Sequence, residues 1–195
     1  MTVRTIAVIG AHAKGRRIAL ASCRAGFRTV LEDVSRQSLE QGIIWIKREF
    51  QEMVNRGEIT VEARAASLAL LTTATNVEDA IRDADLIIEA VPDELEMKLE
   101  LFTIFDKFAK PNAIFASTST ALDVGDFADV AIFRERCIGM RFHSSDGNEE
   151  SIELVKAPLT SLETVAACYE VARKMCQRVV VNAEAGASGF PVNGD

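Results

Sequence analysis

The stretch "VIGAHAKGRRIAL", residues 8–20, decides the fold. Around it, "RTIAVIG" is a continuous apolar run ending in Gly10, as a buried parallel strand does. "GRRIALASCRAG" then sets Ile18, Ala19, Ala21 and Ser22 on one helical face, with Gly26 as a C-terminal stop. The helix is expected to open at about Gly15. "RTVLED" reads as a second strand, and Asp33 follows Gly10 by 23 residues, the length of one βαβ unit. Between strand and helix the chain departs once from the dinucleotide-binding fingerprint G-x-G-x-x-G. Gly10 keeps the tight turn and Gly15 the close helix–strand packing, but His12 replaces the glycine that lets the backbone approach a pyrophosphate. Its Cβ intrudes there. The ring can instead lie over the site and donate a hydrogen bond, and the amides at the helix N-terminus still face an anion.

Further along, "SRQSLEQGIIWIKREFQEMVNRGEIT" keeps a helical period through Leu39, Ile43, Ile46 and Phe50 until Gly57, and "VEARAASLAL" is a second, shorter helix. "LTTAT" and "ADLIIEAV" are the third and fourth strands, the latter apolar until Glu89 and ended by Pro92. "DELEMKLELFTIFDKFA" is an amphipathic helix with acids in its first turn, where the helix dipole favours them. "NAIFAST", "RCIGMRF", the alternating "SIELVKA", a helix capped at Ser161 and "RVVVNA" complete the pattern. Strands alternating with helices imply an α/β fold with a doubly wound, mostly parallel sheet of the Rossmann type, carrying a helical hairpin inserted after the second strand. Residues 1–183 are expected to form this domain, and 184–195 a small polar tail.

Asp33 stands at the end of the second strand, where an acid grips the adenine ribose 2′-OH. Glu32 beside it would repel a 2′-phosphate, so NAD is favoured over NADP, with Arg36 weighing the other way. The chain has 195 residues, 48% of them hydrophobic and 26% charged, and a net charge of −7. That is the balance of a soluble domain, and it argues against a nucleic-acid or anionic-membrane surface. No apolar run approaches the ~18 residues of a membrane span, and the N-terminus lacks the apolar region of a signal peptide. Cys23, Cys137, Cys168 and Cys176 are scattered without metal-ligand spacing, and His12 and His143 do not make a zinc site. No metal is expected, and the thiols read as reduced, in the cytoplasm. No P-loop or G-x-S-x-G elbow appears, and Tyr169 is followed at the fourth place by Arg173, not the lysine of Y-x-x-x-K.

From "DADLIIEAVPDELEMKLELF" onward the chain resembles the NAD-binding domain of the L-3-hydroxyacyl-CoA dehydrogenases. Residues 85–102 follow that family's D-x-V-I-E-A-V-x-E-x-x-x-x-K-x-x-L-F nearly throughout. The helical hairpin, "IELVKAPLTSLETV" and "SGFPVN" are similar to its later segments, so the resemblance spans the chain. It implies NAD contacts at Gly10, His12, Gly15, Asp33, Ala90, Asp93, Lys98 and Ser144. Asp93 also reads as a helix N-terminal acid, and Lys98 as a solvated lysine paired with Glu94 at i,i+4. Arg56 falls near a basic position used for CoA phosphate, and reads equally as a surface arginine. In "STSTAL", Thr120 stands where a serine hydrogen-bonds the substrate oxygen, and Thr118 replaces an asparagine. In "GMRFHSS", Arg141 occupies the position of the general acid/base histidine. Glu153, twelve residues later, matches the carboxylate that orients that histidine, and Asn193 matches an active-site asparagine.

An arginine stays protonated and cannot serve as a base, though it can pair with Glu153. His143, two residues along, returns to the same sheet face about 6–7 Å away. Two functional readings follow from the resemblance. One is an NAD-dependent oxidoreductase of acyl-CoA or a related 3-hydroxy acid derivative, for which the family admits a homodimer. The other is a degenerate member that binds NAD or acyl-CoA without turnover, or serves as a partner subunit; His12, Thr118, Arg141 and Ser144 favour it. Residues 184–195 correspond to the start of the linker to the family's helical C-terminal domain, which this chain is expected to lack.

Overall fold

The five residues Thr5–Ile9 form β1, and all but the first are buried, as an apolar run flanked by helices on both sheet faces must be. In the computed structural model, which describes residues 1–144, 150–176 and 178–183, α1 (Ala13–Arg24) and β2 (Arg28–Glu32) complete the first unit. The helix opens two residues earlier than Gly15. His12 adopts an extended conformation as N-cap, and its carbonyl accepts the Arg16 amide at 3.0 Å.

The inserted hairpin is α2 (Arg36–Asn55) and α3 (Val61–Ala69), capped by Ser35 and Thr60, whose hydroxyls accept the amides of Ser38 and Ala63. There follow β3 (Leu71–Ala74), α4 (Val77–Ile81), β4 (Leu86–Glu89), α5 (Leu95–Phe108), β5 (Ile114–Ser117) and α6 (Val124–Ala128). After a 3-10 turn at Arg134–Arg136 come β6 (Cys137–Ser144), β7 (Glu150–Lys156), α7 (Leu162–Met175) and β8 (Arg178–Ala183). Neither α4 nor α6 is foreshadowed by periodicity, because five residues make too short a window to separate helix from loop.

The eight strands form one sheet in the order β3-β2-β1-β4-β5-β6-β7-β8. All neighbours are parallel except β6 and β7, which pair antiparallel with Arg141 opposite Glu153 and His143 opposite Ser151. One face is covered by α1, α2 and α7 through residues such as Ile18, Ile46, Phe50 and Val171. The other packs against α4, α5 and α6, where Phe102, Phe105, Phe115 and Phe127 stack with ring centroids 5.0–6.2 Å apart. Each such ring removes enough apolar surface from water to stabilise the fold by about 1.5–3 kcal/mol.

β1 lies between β2 and β4, so the sheet reverses its order of growth there and leaves a crevice at the strands' C-terminal ends. Backbone hydrogen bonds hold that edge together: Gly10 N to Glu32 O at 2.8 Å, Ala90 N to Ile9 O at 2.9 Å and Thr118 N to Glu89 O at 3.0 Å.

Candidate functional site

The glycine turn sits at this crevice. Gly10 has φ +101°, a conformation that a side chain rarely adopts. A Cβ on Gly15 would lie 1.7 Å from the Gly10 carbonyl oxygen, so helix and strand approach as closely as backbones can. His12 is accommodated by turning outward: its side chain is 69% exposed, and Nε2 lies 4.0 Å from Asp33 Oδ2. No side chain caps α1, and its first turn carries no acid. Amides there are left open to an anion, favoured further by the helix dipole.

Asp33 is buried beside the turn. Its Oδ2 accepts the Ala11 amide and its Oδ1 the Ser35 amide, each at 2.9 Å. One donor per oxygen leaves lone pairs over for a diol. The neighbouring Glu32 is also buried, and no cation among the described residues pairs with it. Burial, then the charges of Asp33 and Glu78, push its carboxyl up to about 7.

At the ends of β4 and β5 lies a sealed ionic cluster. Lys98 and Glu89 have side chains with no exposed surface, and Lys98 Nζ donates to both Glu89 oxygens at 2.7 Å. Glu89 further accepts the Val91 amide at 2.8 Å and the Ser117 hydroxyl at 2.6 Å. The reading of Lys98 as a solvated lysine beside Glu94 is corrected, because the structure encloses its side chain against Glu89. Lys98 also lies 3.3 Å from Asp93 Oδ1, which stands closer to the crevice and is 28% exposed. Burial lifts the Asp93 carboxyl, but hydrogen bonds from Ser119 and Lys98 and the charges of Lys98 and Lys14 outweigh it and hold it below the usual range. Lys14, from the glycine turn, reaches the Thr118 carbonyl at 3.4 Å. Thr118 Oγ1 is buried without a hydrogen-bond partner among the described residues. Ala90 is buried at the end of β4.

A second, open cluster occupies β6, β7 and β8. Arg141 Nε donates to the Ser119 carbonyl at 2.8 Å, and its guanidinium lies 3.8 Å from Glu153. Glu153 Oε2 faces His143 Nε2 at 3.1 Å, while Oε1 accepts the Asn182 amide at 2.7 Å. Burial again raises this carboxyl, and the bonds from Asn182 and His143 with the charge of Arg141 more than reverse it. Thr120 is exposed just beyond β5. Arg56 caps the C-terminus of α2 and is held within its own hairpin by Glu58 at 2.6 Å and Glu49 at 3.7 Å. Asn193 and the side chain of Ser144 lie outside the described residues.

Glu89, Ser117, Ser119, Lys14 and Asn182 in these clusters escaped the sequence reading. The first had a signal. An acid ending a wholly apolar strand, and a lysine on the stripe Leu95, Lys98, Phe102, Phe105, are two charges at core positions that must find each other. Asn182 had none, since only strand pairing brings β8 to Glu153.

The uncapped helix start, the positive-φ turn and the acid with spare lone pairs fit a dinucleotide, with the pyrophosphate at α1 and the adenosine ribose at Asp33. Among the described residues no group of three His, Cys, Asp or Glu side chains is placed to hold a metal, and no helix is long and apolar enough to cross a membrane.

Residues 5–185 match the family model described as 3-hydroxyacyl-CoA dehydrogenase, NAD binding domain. A 3-hydroxybutyryl-CoA dehydrogenase of Bradyrhizobium diazoefficiens is 31% identical over 180 residues, covering 92% of this chain and 61% of that protein. The mitochondrial hydroxyacyl-coenzyme A dehydrogenase of Homo sapiens is 28% identical, over 98% of this chain and 62% of its own length. The crystal structure of M. tuberculosis FadB2 superposes with a TM-score of 0.87 at 28% identity, covering 99% of this chain and 67% of that one. The chain thus spans about three-fifths of these two curated relatives. The protein belongs to the family of 3-hydroxyacyl-CoA dehydrogenase NAD-binding domains.

Proposed function

We propose that this chain is the cofactor-holding part of an NAD-dependent oxidoreductase acting on 3-hydroxyacyl-CoA or a closely related 3-hydroxy acid derivative. The observation that carries this reading is the open N-terminus of α1 above the Gly10 turn, with Asp33 beside it, in a member of this family. NAD, when bound, supplies a hydride acceptor. Gly10 and Gly15 shape its seat, His12 lies over the ribose side, and Asp33 binds the ribose hydroxyls. Ala90 offers main chain at the end of β4, and Asp93 faces the nicotinamide end, held in place by the enclosed Lys98. Ser144, the last residue of β6, is a further contact in this reading. Thr120 presents its hydroxyl to the substrate oxygen, Glu153 and Asn193 complete the polar wall, and Arg56 meets CoA phosphate at the hairpin tip. As part of the same reading the protein is a cytoplasmic homodimer, which sedimentation and cell fractionation check.

Calorimetric titration with NAD tests the core of it. Wild type should bind NAD in preference to NADP, because Glu32 and Asp33 oppose a 2′-phosphate. Asp33→Asn should weaken NAD about tenfold or more, the size of a hydrogen bond to a charged group. A wild type that binds neither nucleotide at millimolar concentration overturns the proposal.

A further inference from the structure

Resting on that reading, we propose that His143 takes the proton from the substrate hydroxyl, with Glu153 aiming its ring and Asn182 holding Glu153. Arg141 cannot carry the proton, because a guanidinium does not release one in a protein. Its side chain is moreover engaged along its length, Nε on the Ser119 carbonyl at 2.8 Å and the head 3.8 Å from Glu153. It is a fixed positive charge in the wall.

The strand geometry leaves Glu153 within reach of a different residue. Arg141 and His143 are two apart on β6 and share a sheet face, and the antiparallel register puts Glu153 directly opposite the first and diagonal to the second. Arginine is long enough to run past the carboxylate to Ser119, and Glu153 Oε2 is taken by the imidazole at 3.1 Å. An ionised carboxylate only accepts hydrogen bonds, so His143 Nε2 carries the hydrogen of the pair. The lone pair of the neutral ring is then on Nδ1, which has no hydrogen-bond partner among the described residues. Glu153 is fixed from its other side by Asn182 at 2.7 Å, so the carboxylate and the ring are both oriented. The His143 side chain is 49% exposed, which lets a proton pass on to water.

In the step itself the hydroxyl O–H bond breaks and its proton bonds to Nδ1. The C–H bond on the same carbon breaks with its electron pair as a carbonyl forms, and NAD, when bound, would take that pair as hydride. Bound NAD would accept the two electrons the alcohol loses, and the imidazolium returns its proton to solvent. Charged groups facing His143 are Glu153 on β7, Arg141 on its own strand and Arg178 in the same cross-strand row on β8. Lys14, Arg16 and Arg17 of α1 line with it a cavity of about 410 Å³.

The full chain, NAD and 3-hydroxybutyryl-CoA as the probe thioester provide the test, with NADH formation followed across pH. His143→Gln should lower kcat by about 10²-fold or more and abolish the acid limb of the kcat/KM profile, with NAD affinity by calorimetry unchanged. The ¹⁵N spectrum of the wild-type ring, recorded without substrate, should show the Nε2–H tautomer. Asn182→Ala should mix the two tautomers and cut kcat about tenfold. An active wild type whose His143→Gln variant stays within twofold overturns this assignment alone, as does an Nδ1–H tautomer. A wild type that binds NAD but leaves the thioester untouched overturns the oxidoreductase reading, and the proton transfer with it.

Discussion

Glu89 and Glu153 are built from similar parts and end in opposite conditions. Each carboxylate meets a cation and a neutral donor, Lys98 and Ser117 in one case, Arg141 and Asn182 in the other. Glu89 and Lys98 have no exposed side-chain surface, whereas Glu153 and Arg141 each keep about a fifth. A sealed pair holds strand to helix away from solvent, and reaches the crevice only through Asp93. An open one accepts a third group, here the imidazole of His143. Solvent access, more than residue type, separates the anchor from the candidate chemistry.

The difference can be broken most forcefully at Lys98. Lys98→Met leaves Glu89 charged, buried and without its cation, which should cost about 3–5 kcal/mol in urea unfolding. Adding Glu89→Gln removes the stranded charge and should recover most of that loss. If the single variant unfolds like wild type, the enclosed pair is not the anchor described above.

Glu32 sharpens the comparison as a third carboxylate, buried without a cation among the described residues. Its carboxyl is raised from 4.5 to about 7, so between those values the folded chain binds more protons than the unfolded one. Its contribution to stability is therefore complete below pH 4.5 and lost as pH rises through about 7. The loss should be on the order of 2 kcal/mol once solvent screening is allowed for. Thermal melts should show it in wild type and not in Glu32→Gln.

Glu153→Gln should have the smallest effect, under about 1 kcal/mol near neutral pH, because partly exposed ion pairs contribute little. The sign with pH is opposite to that of Glu32. A depressed carboxyl stabilises above its ordinary value of 4.5 and loses that contribution as pH falls through the depressed one. Melts below pH 4.5 should thus bring wild type and variant together.

Much of the fold was legible because its signals are local. The apolar run into Gly10, the period of α1 and the spacing to Asp33 identify a βαβ unit without knowledge of any distant contact. The helical hairpin was equally readable from Leu39, Ile46 and Phe50, with Gly57 at its turn. The short helices α4 and α6 were not, since five residues carry too little pattern. In the site, His12 could be seen to occupy a glycine position, but its outward turn over Asp33 is a matter of backbone geometry. Lys98 shows the limit from the other side. Its place on an apolar stripe was visible, yet its partner lies nine residues away on another element, and a periodicity names a face without naming what the face meets.

The sequence by itself determined the α/β class, the glycine turn, the acid at the end of β2 and the presence of arginine at position 141. Those follow from spacing along one chain and from chemistry that a residue carries everywhere. Tertiary structure alone decided that Lys98 is enclosed, that Arg141 is drawn to Ser119, and that Glu153 is shared between His143 and Asn182. Register across three strands sets those partnerships, and burial sets their strength. Both are properties of segments brought together by folding, so neither is written in the local order of residues.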